Sequence, residues 1–200
     1  MLSIPESCRA RSTSIIVLIA LICALYNIPA LAIDLRGSLW ERVAKTHQLD
    51  PYLLYAVAIA ESLVPRDNSR VSPWPWTIRT PKESIYARTR EEVEARLRLE
   101  LARWGEKANF DVGLMQISTS WHSWRVRSPV DLLEPEVNLR IAADVLSEAL
   151  LSSPDDPILG IGRYHSWHSE RARWYGERVF EIYRQLLADI TEARIVKVKQ

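Results

Sequence analysis

A chain of 200 residues favours one domain, and its 48% hydrophobic content is enough to build a core. The formal net charge is +1, with Arg and Lys interleaved with Glu. A basic stripe of the kind that binds nucleic acid is therefore excluded.

Residues 1–32 read as a secretory signal peptide. Arg9 and Arg11 outweigh Glu6, the run from Ile15 to Leu25 is uninterrupted and apolar, and Pro29 precedes the small-x-small site Ala30-Leu-Ala32. Cleavage is expected after Ala32, and the destination is the periplasm. The run is short for a bilayer span. An uncleaved anchor is the alternative, and the leader is then the one link to a membrane. A lipoprotein is disfavoured, because Cys23 lies inside the apolar run and follows Ile22. Cys8 and Cys23 both fall in the leader, so the mature chain has no disulfide and no thiol nucleophile. Losing Glu6, Arg9 and Arg11 also leaves it formally neutral.

From residue 33 onward there is no internal repeat, low-complexity tract or Gly/Ser linker, and the pattern is mainly helical. A first amphipathic helix is predicted over 35–47. Asp50-Pro51 opens the second, since Asp suits the N-cap and Pro the first helical position. It runs to Ser62, before Pro65. Trp74–Arg79 and Ser84–Ala87 flank Pro81 and read as a short hairpin. Thr89-Arg-Glu-Glu92 has capping-box spacing, and the helix after it stops at Gly105. Residues 113–120 form a turn and short helix. Further helices are predicted over 135–151, with Val137, Ile141, Val145 and Leu146 inward, over 157–163, and over 170–188. Residues 194–200 are expected to fray.

Glu61 stands out. Leu54, Val57, Ala58 and Glu61 fall at i, i+3, i+4 and i+7 and share an apolar face. Burial there disfavours the ionised carboxyl, and the negative end of the helix macrodipole acts in the same direction. Both keep a proton on Glu61 near neutral pH. Cleavage of a glycosidic bond needs such an acid for the leaving oxygen. The structural alternative is a buried Glu paired with Arg, or a helix-end Glu facing water.

The ordered set Glu61-Ser62, Ser72-Pro73, Gly113-Leu-Met-Gln-Ile117, the Asn138-Leu139 helix start and Tyr164 resembles the lytic transglycosylases with a soluble-lytic-transglycosylase (SLT) catalytic domain. These belong to the goose-type lysozyme superfamily. The resemblance covers about residues 38–187. It implies a mainly α, lysozyme-like α+β fold: a single helical domain over 33–200, with a small β-hairpin insert over 73–112. It implies Glu61 as the catalytic acid/base. Ser72, Met115, Gln116 and Tyr164 match substrate-site positions: Ser72 approaching the sugar substituents, Met115 packed behind the groove, Gln116 lining it, and Tyr164 reaching toward the catalytic Glu. The partner implied is the peptidoglycan glycan strand, with no cofactor.

Two departures accompany the match. About forty residues separate Ser-Pro from Gly-Leu-Met-Gln, where the usual family has few. The Pro-Trp-Thr segment preceding Asp-Val-Gly-Leu-Met-Gln is similar to a subgroup found with conjugation and type IV secretion genes, which implies secretion, pilus or conjugation machinery as a partner. The family's Ala-Tyr-Asn is Arg163-Tyr164-His165 here.

Two rivals stay open. A hydrolytic lysozyme would need a second carboxylate, about 5–5.5 Å from the acid if retaining or about 6.5–9.5 Å if inverting. Asp67 and Asp111 are the candidates, although both read as turn or loop residues. A non-catalytic glycan-binding scaffold would use Trp74, Trp76, Trp121, Trp124 and Trp167, all in predicted loops where rings can stack on sugars. Trp40, Trp104 and Trp174 read as helix packing. No metal site is expected: His165 and His168 have no carboxylate or Cys cluster beside them, and His47 and His122 are isolated.

Overall fold

The computed structural model describes residues 33–65, 71–105 and 109–198. The predicted leader and Asp67 lie outside them. Helix α1 (Leu39–Thr46) starts at Ser38, whose hydroxyl accepts from the Glu41 amide at 3.3 Å, while the Glu41 carboxylate accepts from the Gly37 amide at 2.7 Å. These bonds satisfy amides that a helix start leaves open. They also place the start four residues after the predicted 35.

Helix α2 (Pro51–Ser62) is capped as its sequence predicts, with Asp50 Oδ1 accepting from the Tyr52 and Leu53 amides at 2.7 and 3.2 Å. Leu54, Ala56, Val57 and Ala58 have no exposed surface. The helix is therefore enclosed on most sides, not along one face. Trp40 packs edge-on against Tyr55 at 4.9 Å.

Strand β1 (Leu63–Pro65) leaves α2 directly and pairs antiparallel with β2 (Val71–Pro73), Val64 opposite Ser72. The predicted hairpin is β3 (Thr77–Arg79) and β4 (Ser84–Tyr86), with Ile78 opposite Ile85. Helix α3 (Arg90–Trp104) follows. Thr89 accepts from the Glu92 amide at 3.2 Å, but the Glu92 carboxylate takes the Arg88 amide, one residue ahead of the cap.

Neither β1 and β2 nor the next two strands were expected. β5 (Asp111–Val112) and β6 (Ile117–Ser118) complete an antiparallel sheet of order β4-β3-β5-β6. Two residues are too few for an alternating pattern to show in sequence. Asp111 is consequently a strand residue opposite Arg79, not a loop residue.

Helix α4 (Thr119–His122) and two 3-10 turns, Ser123–Arg125 and Pro129–Leu133, lead to α5 (Pro135–Leu151), α6 (Pro157–Arg163) and α7 (Ser169–Val198). α5 and α6 keep their predicted bounds. α7 continues to Val198, past the predicted 188 and through residues expected to fray; no Gly or Pro interrupts that stretch. On α5, Ile141 and Leu146 are buried as predicted, Val137 and Val145 only partly. Asn138, Leu139 and Ala142 take the innermost positions.

α6 and α7 touch backbone to backbone. A Cβ on Gly162 would lie 1.8 Å from the Ala172 carbonyl oxygen, and one on Gly176 would lie 2.0 Å from that of Ile158. Only glycine permits this approach, and α7 also packs on α2. The core between these layers includes Leu54, Phe110, Met115, Leu132, Leu139 and Leu146, all fully buried. Each such side chain contributes about 1.5–3 kcal/mol. The architecture is mainly α with a small antiparallel sheet. Trp104 and Trp174, expected as packing residues, are instead 44% and 61% exposed.

Candidate active site

Glu61 occupies the last turn of α2, and its side chain is only 8% exposed. Ser62, the next residue, fastens three segments at this point. Its Oγ donates to the Leu114 carbonyl at 2.6 Å and accepts from the Trp74 amide at 3.2 Å. The end of α2 is thereby held against both the β5–β6 turn and the start of the insert.

That turn is built from the glycine and the asparagine that the sequence singled out. Gly113 has φ +79°, and a Cβ there would sit 2.6 Å from both Leu132 O and Asn138 Nδ2. Gln116 is also left-handed, at φ 48°. Its side-chain amide donates to the Gly113 carbonyl at 2.9 Å, which fixes the side chain along the turn. Asn138 supports the turn from within: Oδ1 accepts from the Met115 amide at 2.8 Å, and Nδ2 donates to the Val112 and Leu132 carbonyls at 2.8 and 2.9 Å. Every polar atom of this buried amide side chain is engaged.

The five sequence-selected residues occupy distinct places. Met115 has no exposed surface, so it backs the turn and does not present its side chain to solvent. The Tyr164 hydroxyl donates to the Met115 carbonyl at 2.8 Å. It does not donate to Glu61, although it lies close enough for the carboxylate to help hold its pKa well above the usual tyrosine value, after burial. Ser72 is half-buried on β2, opposite a residue of the strand that leaves Glu61. Glu61 is therefore joined with Gln116, Met115 and Tyr164 around one turn, and Ser72 sits on the neighbouring sheet.

The residue that bonds Glu61 is one the sequence reading missed. Tyr175, on α7, donates its hydroxyl to Glu61 Oε1 at 2.6 Å. His165 lies flat on the Tyr175 ring, centroids 4.7 Å apart and planes 4° apart, with Nδ1 3.9 Å from the same Glu61 oxygen. A signal for Tyr175 was available: Gly176 sits mid-helix, and such a glycine marks close packing. It is that packing of α7 on α6 that positions Tyr175.

Burial pushes the Glu61 carboxyl up to about 7 from its ordinary 4.5. The Tyr175 hydrogen bond and the charges of Arg79 and Arg178 pull it down, and Asp111 adds a smaller upward push. Burial wins because the carboxylate loses its water and gains only one strong donor. Asp111 is itself raised by burial, against Arg79. His165 is lowered, first by burial and then by Arg79, Arg171 and Arg178. Near neutrality the pocket therefore holds a protonated carboxyl in appreciable fraction beside a neutral imidazole.

A family model described as the transglycosylase SLT domain matches residues 38–185, from the N-cap of α1 into α7. The chain belongs to the transglycosylase SLT family. No curated protein matches it. Membership carries the lysozyme-like, α-rich fold, peptidoglycan as substrate, and lytic transglycosylase activity in the general sense. Residues 73–112, with β3, β4, α3 and β5, fall between the ends of the SLT match. Around the SLT site, Arg178 lies over the ring of exposed Trp174 at 5.9 Å and within electrostatic reach of Glu61.

Proposed function

We propose that this protein cleaves the β-1,4 bond between N-acetylmuramic acid and N-acetylglucosamine, with Glu61 as its acid and base. The observation that carries the reading is the Glu61 carboxyl, 8% exposed, bonded by Tyr175 and raised to about 7. Tyr175 donates to Oε1 and holds the carboxyl in place, and the proton that Glu61 carries is the one offered to the leaving oxygen. As the C1–O bond breaks, that proton passes to the departing sugar. The muramoyl C6 hydroxyl closes onto C1, and its proton returns to Glu61. The product is a 1,6-anhydro sugar, and no water is consumed. Positioned proton transfer supplies about 10²–10⁴ of the rate; holding the strand and distorting the sugar supply the remainder. Gln116, on its fixed turn, and Ser72 bind sugar substituents, while Met115 and Tyr164 hold the turn that presents them. The exposed Trp174 ring, on the same helix as Tyr175, suits the face of a sugar.

A second reading has one observation behind it. The Asp111 carboxylate is in electrostatic contact with Glu61, as a hydrolytic lysozyme with a second carboxylate would require. Asp111 is committed opposite Arg79 on the sheet, which favours the first reading. Digestion of purified peptidoglycan followed by mass spectrometry decides between them. Muropeptides lighter by one water support the transglycosylase, and reducing ends of unmodified mass overturn it. Glu61→Gln should abolish both products; surviving activity would remove Glu61 from the mechanism, and a wild type that binds glycan without cutting it would favour the non-catalytic glycan-binding scaffold.

The place of action follows from the leader: secretion, cleavage after Ala32, and work in the periplasm. The Pro-Trp-Thr segment ahead of Asp111-Val-Gly-Leu-Met-Gln116 supports local wall remodelling for a conjugation, pilus or type IV secretion apparatus. Fractionation of cells expressing the full chain, with the N-terminus of the mature protein sequenced, tests the first claim.

A further inference from the structure

Among the described residues, Tyr175 and His165 reach the Glu61 carboxylate, and they differ in access. Tyr175 is buried and its hydroxyl is already donating to Oε1. His165 is 42% exposed on its side chain, with Nδ1 3.9 Å from Oε1. Its ring is fixed by the parallel stack on Tyr175, so the imidazole stands at the rim of the pocket with one face held and an edge open. Of the two groups His165 is the one open to solvent, with the Glu61 side chain only 8% exposed beside it.

We propose that His165 is the proton acceptor for the attacking sugar hydroxyl, and that the proton reaches Glu61 through it. The proposal rests on the reading of Glu61 given above. In the step, the C6 hydroxyl gives its proton to the neutral imidazole as O6 bonds to C1. The C1–O bond to the leaving sugar breaks with its electron pair on that oxygen, and Glu61 supplies the proton that neutralises it. The imidazolium then faces a fresh carboxylate at 3.9 Å. Closing that gap by about 1 Å brings nitrogen and oxygen into hydrogen-bond range. Transfer of the proton restores both residues, and no water, oxidant or other reactant enters.

The charges around the imidazole fit this task. Arg79 from β3 and Arg171 and Arg178 from α7 all disfavour its protonated form, as does burial. Tyr164, the preceding residue, keeps its proton, and Asp111 on β5 is itself raised. Glu61 is raised in the opposite sense. With ordinary values a Glu and a His this close would rest as an ion pair; here the environment separates them into a neutral acid and a neutral base, which is the division of labour an acid–base pair requires.

The test is kcat and KM on purified glycan strands from about pH 4.5 to 8.5 for the wild type, His165→Asn and His165→Phe. Phe keeps the stack on Tyr175 and has no ring nitrogen. Both variants should lose about 100-fold or more in kcat, with little change in KM. The acidic limb of the profile, set by protonation of His165, should vanish in both. A Phe variant within about threefold of wild type would show that only the stack matters, and would overturn the proposal. So would variants that lose activity but keep the acidic limb. An NMR titration of the wild-type imidazole needs no variant: a ring still protonated at neutral pH would also overturn it. Glu61→Gln separates the two levels. If it is active, both readings fall; if it is inactive while the His165 variants are fully active, only this one does.

Discussion

Glu61→Gln should stabilise the protein, and do so only above mildly acidic pH. A carboxyl raised from 4.5 to about 7 resists ionisation in the folded state. That resistance corresponds to about 3 kcal/mol once the group is charged in both states. The folded value lies above the unfolded one, so the wild type is unpenalised below 4.5, where both states hold the proton. Its stability then declines as pH rises through about 7. Glutamine never ionises, and its carbonyl can still accept from Tyr175. The variant should therefore match wild type near pH 4, exceed it by about 2 kcal/mol near pH 6, and by about 3 kcal/mol at pH 8. Urea unfolding at those three values, read by tryptophan fluorescence, measures the difference. A gain that does not change with pH would refute the reasoning. A variant that grows less stable with rising pH would show that Arg79, Arg178 and Tyr175 outweigh burial.

Tyr175→Phe removes the donor that favours the charged form of Glu61. The basic limb of the pH–rate profile should move upward, and kcat should fall as the carboxyl loses its anchor; a limb that stays in place would deny Tyr175 its part. Asn138→Ala strands the Met115 amide and the Val112 and Leu132 carbonyls. Chemical denaturation should register a loss of about 2–4 kcal/mol, and a loss below about 1 kcal/mol would mean that water or backbone movement replaces the amide.

The helices were legible because their signals are local. Asp50-Pro51 marks a cap and a first turn, and the bonds from Asp50 to Tyr52 and Leu53 are the same chemistry seen directly. Strands β5 and β6 were invisible because each is two residues long, and what makes β5 a strand is pairing with β3 across more than thirty residues of chain, after which β6 pairs with β5. The candidate site divides in the same way. Glu61, Gln116 and Tyr164 could be chosen from motifs, but the bond of Tyr164 to a backbone carbonyl and the bond of Tyr175 to Glu61 are tertiary, the second a consequence of how α7 lies on α6. That contact is set by Gly162 and Gly176, residues whose importance lies in the side chain they lack. Trp174 was misjudged for a related reason: helical spacing assigns a residue to a helix, but which side of α7 faces α2 depends on the glycine contact.

The same enclosure that raises Glu61 also makes its acidity depend on what covers it. Desolvation is the largest influence on the carboxyl, and the influences that oppose it are Tyr175, Arg79 and Arg178. Among the described residues, one open edge of the site is at His165, whose side chain is 42% exposed. A glycan laid across that edge would exclude water from it, strengthening the desolvation that keeps the proton on Glu61. It would leave the Tyr175 bond intact, since Tyr175 is itself buried. Binding the strand would then complete the acid that cuts it, and an empty pocket near neutral pH would hold that acid only in part. The substrate would thus help set the protonation state that the reaction consumes, so the inflection measured for kcat should lie higher in pH than the one measured for kcat/KM. Coincident inflections would show that the strand leaves the carboxyl's surroundings unchanged.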